Sequence, residues 1–201
     1  MYEIAVLGTI VLMLVSATDY VRRAWIGTSQ PVPATWILMM VVMSLSCFMY
    51  WNSPRRSLTA NIGVTAGVVN ITIILTGVIA ANIRHGTLRV AFDRTQKWCL
   101  VAGAGVTIFW LFTKQPLIAY TLVQCIALIA YFATVKKLLK AKRSTEPIFI
   151  WVVVLCANLC ALYPAWVKKD LFSWIYLVRA VPSSTLVVYL ILRIKRRMRL
   201  S

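Results

Sequence analysis

Residues 36–51 read WILMMVVMSLSCFMYW, and residues 151–166 read WVVVLCANLCALYPAW. Each segment is an apolar run between two tryptophans, and a shift of 115 positions places one pair of tryptophans on the other. Apolar runs of about this length are typical of helices that cross a membrane, where each backbone group must be hydrogen-bonded internally. The chain therefore carries two copies of one membrane-spanning segment.

The repeat extends towards the N-terminus of each copy. Tyr20-Val21-Arg22-Arg23 follows one apolar run, and Thr134-Val135-Lys136-Lys137 follows another. Gln30-Pro31 and Glu146-Pro147 then precede the next run in each copy. A bundle of three spans forms a closed structure only together with a second copy, so the repeat predicts a duplicated three-helix unit.

The composition places the chain in a bilayer. Hydrophobic residues make up 61% of the 201 residues and charged residues only 13%, which is more apolar surface than a soluble domain of this size can bury. The first run lacks a small-residue cleavage site, so we expect it to remain as a span rather than be removed as a signal peptide. We predict seven transmembrane helices, at about 4–18, 34–51, 60–82, 98–113, 116–135, 147–167 and 171–192.

The predicted fold class is an all-α integral membrane protein whose seven helices form two parallel three-helix repeats joined by a linker helix, a 3+1+3 arrangement. It is a single membrane domain. Residues 1–82 form the first three-helix unit, residues 83–115 the loop and linker helix, and residues 116–201 the second unit with a basic tail.

The placement of positive charge agrees with seven spans. When the loops of such a chain alternate between two sides, one side receives 16 of the 22 Lys and Arg residues and the other side five, with Arg179 inside the seventh span. The rule that positive loops stay inside then predicts an extracellular N-terminus and a cytoplasmic C-terminus. Short loops without a glycosylation acceptor favour the bacterial inner membrane.

The net charge of +17 also raises the possibility of nucleic-acid binding. Nearly all of this charge lies in short segments beside the spans, where topology and attraction to anionic lipid headgroups account for it. We therefore expect membrane lipids, and no nucleic acid, as partners of the basic segments. The oligomeric state is left open by the sequence.

Two short motifs resemble the PQ-loop repeat of the SWEET sugar facilitators and of the related PnuC-type vitamin transporters. Residues 129–138 read IAYFATVKKL and are followed by STEP at 144–147 and by Trp151, while DYVRRAW at 19–25 is a weaker copy followed by Trp36. The chain departs from the pattern because Ala133 and Asp19 stand where the motif has proline. The resemblance implies a carrier in which two three-helix units rock to expose a central site alternately to each side.

Arg179 is the most informative polar residue of the spans. A charged group in the bilayer costs about 3 kcal/mol or more, so it normally faces a partner or a wet cavity. Arg179 could therefore contact an anionic substrate, or it could extend to the headgroups or pair with Glu3 or Asp170. Pro182 follows it by less than one turn and predicts a kinked, polar patch.

Other polar residues in the spans suggest a substrate pocket. At the offset of 115, Thr185 corresponds to Asn70 and Pro182 to Gly67, so we expect Gly67 and Pro182 to act as hinges beside a polar residue. The resemblance to SWEET proteins places the substrate between the third and seventh spans, at Asn70 and more loosely at Thr185. The remaining candidate pocket residues are Asn158, Gln124 and Trp110. The alternative role of the side-chain amides is an interhelical hydrogen bond, and the alternative role of Trp110 is packing.

Several functions find no support in the residues. The spans hold no paired carboxylates and no histidine beside a serine or cysteine, so we expect no enzyme. The only histidine, His85, lies in a basic loop, so we expect no metal and no cofactor. Asp19, at the end of the first span, is the one candidate for a proton-binding or gating carboxylate.

The sequence thus predicts a multi-pass carrier that moves a small polar solute, with an anion as one option, between two three-helix units. A non-transporting membrane scaffold that binds lipid or a partner protein is the alternative. A carrier needs a wet pocket lined by Asn70, Asn158 and Arg179. A scaffold would pack these groups against one another.

Overall fold

The structure is a computed structural model that describes residues 1–29, 31–54, 56–140 and 147–200. The described residues form seven α-helices and no strand. The helices are α1 (Tyr2–Ile26), α2 (Pro33–Trp51), α3 (Ile62–Arg84), α4 (Arg94–Thr113), α5 (Pro116–Lys140), α6 (Ile148–Lys168) and α7 (Leu171–Leu200). The prediction of an all-α protein with seven helices is confirmed.

Three helices continue well past their apolar runs. We predicted ends at residues 18, 135 and 192, whereas α1, α5 and α7 end at Ile26, Lys140 and Leu200. The added residues are mostly Arg, Lys, Leu and Ala, which favour helix, and a helix need not end at the membrane boundary. Several basic residues assigned to loops therefore lie on helical extensions.

Gln30 and residues 144–146 of the quoted motifs lie outside the described residues, and the side chains of residues 133, 134, 136 and 137 are not described.

Among the described residues, α1, α2, α3, α6 and α7 are long and apolar enough to cross a membrane. The described apolar part of α5, Pro116–Phe132, is shorter. Helix α4 begins with a polar turn, and its apolar residues 98–113 span only about 24 Å at 1.5 Å per residue, against a hydrocarbon core of about 30 Å. The chain is a multi-pass membrane protein, and α4 is not among the five described helices that are long and apolar enough to cross a membrane.

The helices pack as a ring of six with one helix outside. Helix α3 packs against both α1 and α2, and α7 packs against both α5 and α6. Contacts of α1 with α6 and of α2 with α5 close the ring, while α4 packs on the outside against α2 and α5. These six main contacts are unchanged when α1, α2 and α3 are exchanged for α5, α6 and α7, as expected for two parallel three-helix units.

The two ends of the ring differ in charge. Helices α1, α3, α5 and α7 end where the described residues carry Arg22, Arg84, Arg94 and Arg193, and we call this the basic end. The same helices begin at the other end, where Tyr2, Asn61 and Asp170 lie. The largest buried apolar cluster lies between the ends and includes Met13, Met43, Tyr120 and Tyr176.

Candidate functional site

Arg179 lies inside the bundle on α7, about 12 Å along the helix axis from its first residue. Its Nε atom donates a hydrogen bond to Oε1 of Gln124 on α5 at 3.0 Å. Its guanidinium carbon lies 5.0 Å from the ring centre of Tyr176 and 5.7 Å from that of Tyr131. Both distances are within the range of cation–π attraction, which stabilises the charge without neutralising it.

The guanidinium of Arg179 is not fully satisfied. Its Nη2 atom is buried and has no hydrogen-bond partner among the described residues. The single ion pair of the described chain joins Arg23 to Asp19 and does not involve Arg179. Arg179 is half-buried as a residue, but a buried N–H group with no partner and no counter-charge is costly, and an anion would relieve it.

Gln124 connects Arg179 to the first unit. Its Nε2 atom donates to Oγ of Ser46 on α2 at 2.8 Å, and Ser46 in turn donates to the carbonyl of Val42 at 2.8 Å. Gln124 and Ser46 are both buried. The chain of bonds from Arg179 through Gln124 to Ser46 therefore runs across the contact between α5 and α2, where the two units meet.

Tyr176 fills the space between α7 and α3. Its ring lies against Gly63 and Gly67, because a Cβ atom built on Gly63 would be 2.5 Å from the Tyr176 Cε1 atom. A Cβ atom on Gly67 would lie 2.5 Å from Cε of Met43. Helix α3 is continuous through both glycines. Gly67 thus packs closely against Met43 in this structure, and its role as a hinge stays a prediction.

Asn158 on α6 joins this cluster through Tyr176. The Tyr176 hydroxyl donates to Oδ1 of Asn158 at 3.1 Å, and both side chains are buried. Met43 is the counterpart of Asn158 at the offset of 115, and it packs on Gly67 beside the same tyrosine. These contacts connect six residues, which we call the central cluster: Tyr176, Tyr131, Arg179, Gln124, Asn158 and Gly67.

Asn70 is buried but bonds to a different helix. Its Nδ2 atom donates to the carbonyl of Met13 at 2.6 Å and to Oγ of Ser16 at 2.8 Å, both on α1. The amide thus holds α3 to α1 within the first unit, which is the interhelical alternative considered from the sequence.

Four other predicted residues have no hydrogen bond or ring contact with the central cluster, although Trp110 belongs to the same buried apolar cluster as Tyr176. Thr185 is exposed and donates to Val181 of its own helix at 2.8 Å, and Pro182 is exposed within a continuous α7. Trp110 is buried on α4 against Phe48, and Asp19 is bonded to Arg23 at 2.7 Å near the basic end. The offset of 115 therefore does not bring Thr185 to the position that Asn70 occupies.

Three aromatic side chains cover the central cluster at the end opposite the basic end. Phe172 lies edge-on between Tyr50 at 5.4 Å and Tyr120 at 5.1 Å, measured between ring centres. All three are buried, and Phe172 lies about 10 Å from Arg179 along α7. We call Tyr50, Tyr120 and Phe172 the aromatic cap.

Helix α7 is fixed beside the aromatic cap at its first turn. Ser173 donates through its hydroxyl to Asp170 and, at 2.8 Å, to the carbonyl of Ala60. The Asp170 carboxylate also accepts from the Ser173 backbone N–H at 3.2 Å, which satisfies a free donor of the first turn. These bonds connect the beginning of α7 to the beginning of α3.

Sequence reasoning missed the two tyrosines of the central cluster. Tyr176 precedes Arg179 by three residues and Tyr131 follows Gln124 by seven, so each pair lies on one face of a helix. These spacings could have indicated that Tyr176 lies on the same helix face as Arg179, and Tyr131 on the same face as Gln124. They could not show that α5 and α7 are in contact.

Comparison of the chain with family models, with curated proteins and with solved structures gives no match.

Proposed function

We propose that this protein is a membrane carrier for a small anion, which binds at Arg179 in the central cluster. The supporting observation is the buried Nη2 atom of Arg179, which has no partner among the described residues. A guanidinium matches a carboxylate or phosphate through two parallel hydrogen bonds, so an anion of either type suits the free donor.

The position of the central cluster supports transport rather than simple binding. Its side chains come from both three-helix units, and Gln124 bonds across their boundary to Ser46. A ligand held there would contact elements that move relative to each other when two repeats rock about a central site. In such a carrier, the aromatic cap would block access to Arg179 from the end opposite the basic end. Opening the site to that end would require the three rings of the cap to separate.

The distribution of charge supports an orientation for this carrier. The basic end would face the cytoplasm, and the aromatic cap would face the outside, as the rule for positive loops favours. Of the described carboxylates, Asp19 pairs with Arg23, Asp93 and Asp170 cap α4 and α7, and Glu3 lies in the first turn of α1, so none belongs to the central cluster. We therefore propose facilitated passage of the anion rather than proton coupling.

A thermal-shift assay in a non-ionic detergent tests this proposal. The probes are acetate, succinate and inorganic phosphate, with glucose as the uncharged comparison. A bound anion should raise the melting temperature with its concentration. Arg179→Gln should abolish the rise, and Arg193→Gln, which removes an exposed cation from the same helix, should retain it. An equal response of both variants, or none in the unmodified protein, would overturn the proposal.

A non-transporting membrane scaffold is the second candidate. It is supported by the hydrogen bonds that Asn70, Gln124 and Asn158 make to other protein groups. A scaffold predicts no shift with any soluble anion. It also predicts that proteoliposomes loaded with phosphate or succinate exchange it no faster than protein-free liposomes loaded in the same way.

A further inference from the structure

A cavity lies at the basic end, away from the central cluster. Its volume is about 520 Å³, and it is lined by the end of α1, the beginning of α2, the end of α3 and the connection between α3 and α4. Small-molecule sites usually have volumes of about 300 to 1,000 Å³, so this cavity could hold a ligand larger than a bare ion. The polar groups that line it include Ser29, Asn82, His85, Thr87 and Arg89.

The walls of this cavity are held in place by local bonds. Gly27 and Gly86 end their helices at φ values of 80° and 65°, which favour glycine, and turn the chain around the cavity. The Nε2 atom of His85 lies 3.2 Å from the Trp25 carbonyl, and a carbonyl can only accept, so this nitrogen carries the proton. The Arg84 guanidinium lies over the Trp25 ring at 4.7 Å. The cavity is therefore formed without a ligand.

The lining of the cavity combines one arginine with several small apolar side chains. Arg89 has no hydrogen bond or ion pair among the described residues, and the described lining contains no carboxylate. The hydroxyl of Thr87 donates to Oδ1 of Asn82 at 3.1 Å, which places a second polar group in the wall. The apolar wall consists of Ala24, Pro31, Val32, Pro33, Ala81 and Ala91.

We propose that this cavity binds a phosphate monoester or diester, with Arg89 on the phosphate and the apolar wall on its organic part. A phosphate offers several acceptor oxygens to the five donors of a guanidinium. A bare phosphate would leave most of the volume empty, so an attached organic group fits better. The phosphate is either that of an anionic phospholipid headgroup or that of a free ester in the adjoining aqueous phase.

The test measures binding to the full-length protein in a non-ionic detergent. One arm titrates glycerol 3-phosphate by calorimetry, and the other measures retention of phosphatidylglycerol against phosphatidylcholine by native mass spectrometry. Arg89→Gln should weaken binding about tenfold or more, as expected for loss of a charge-assisted hydrogen bond. Arg94→Gln, which removes an exposed cation outside the lining, should leave it unchanged.

The outcomes separate the two sources and the two sites. Binding of glycerol 3-phosphate that depends on Arg89 supports a free ester, and the same dependence with phosphatidylglycerol alone supports a lipid. Ala91→Leu should also weaken binding, because it fills the cavity without a change in charge. Binding that persists in Arg179→Gln and is lost in Arg89→Gln supports this cavity, whereas binding lost only in Arg179→Gln belongs to the central cluster and overturns the proposal. No binding in either arm, or equal losses in Arg89→Gln and Arg94→Gln, overturns the proposal.

Discussion

Asn70 in the first three-helix unit and Arg179 in the second are interior polar groups that differ in how far the protein satisfies them. Both amide donors of Asn70 are used by α1 of the same unit, at 2.6 and 2.8 Å. Arg179 donates through Nε, but its buried Nη2 atom has no partner among the described residues.

The comparison teaches that the repeat preserves the helix arrangement but not the polar chemistry. The counterpart of Arg179 at the offset of 115 is Val64, which is fully buried and apolar. The counterpart of Asn70 is Thr185, which is exposed. Among the described residues, a buried charged atom without a partner is therefore found in the second copy alone, and a binding site there has no counterpart in the first copy.

The largest expected effect comes from Gln124, the partner of Arg179. Gln124→Leu should destabilise the protein by about 2 to 3 kcal/mol, because it leaves a second N–H of the guanidinium unpaired. Adding Arg179→Met to Gln124→Leu should recover most of this loss, since the stranded charge is removed. Unfolding of the four proteins of this double-mutant cycle measures the coupling, which we expect at about 1 to 3 kcal/mol. Additive effects would show that the two side chains are not coupled.

The next effect concerns the contact between the units at Tyr176. Gly63→Ala should destabilise by about 1 to 3 kcal/mol, because the added methyl would overlap the Tyr176 ring. Gly105→Ala is the matched control, since nothing lies within 4 Å of its added carbon, and it should be neutral or stabilising by up to about 1 kcal/mol. Melting temperatures of the two variants give the comparison. Equal temperatures would contradict the packing at Gly63.

Asn70→Ala should have a smaller effect and should separate stability from binding. Loss of its two bonds to α1 should cost about 1 kcal/mol, which is typical for an interhelical hydrogen bond in a membrane. The shift in melting temperature with anions should remain, in contrast to Arg179→Gln. If Asn70→Ala abolishes the anion response, the site extends to the first unit and the contrast between the two copies fails.

The smallest effect is expected for Thr185→Val. The hydroxyl of Thr185 bonds only to its own helix and faces outward, so its loss should change stability by less than about 0.5 kcal/mol. The anion response should also be unchanged. A large loss of stability or of the anion response would show that Thr185 has the role that its correspondence to Asn70 predicts.

Much of the fold could be predicted because the bilayer makes apolar runs visible. The helices α2, α3 and α6 begin and end within two residues of their predicted limits, since polar or proline-containing connections interrupt the apolar pattern there. The ends of α1, α5 and α7 could not be predicted from hydropathy, because these helices continue into water. The order of the helices around the ring was not predicted, but it repeats between the two units as a duplication requires.

The candidate site was less predictable than the fold. Arg179 could be found because a charge within a span is rare, and Gln124 and Asn158 because amides there are uncommon. Whether each group bonds to protein or faces a ligand depends on helix rotation and on neighbours far away in sequence. Asn70 and Gln124 look alike in the sequence, yet one holds two helices of a single unit and the other contacts the arginine.

Helix α4 makes the two boundaries between the units mechanically unequal. The largest contacts between the units are those of α1 with α6 and of α2 with α5, and α3 makes smaller contacts with α6 and α7. Helix α4 packs against both α2 and α5, so separation of these two helices also requires α4 to leave one of them. Among the described residues, no helix outside the ring bridges α1 and α6, although α3 packs on α1 and makes a smaller contact with α6. If the ring opens, we expect α1 to separate from α6 while α2, α4 and α5 stay together and act as the hinge.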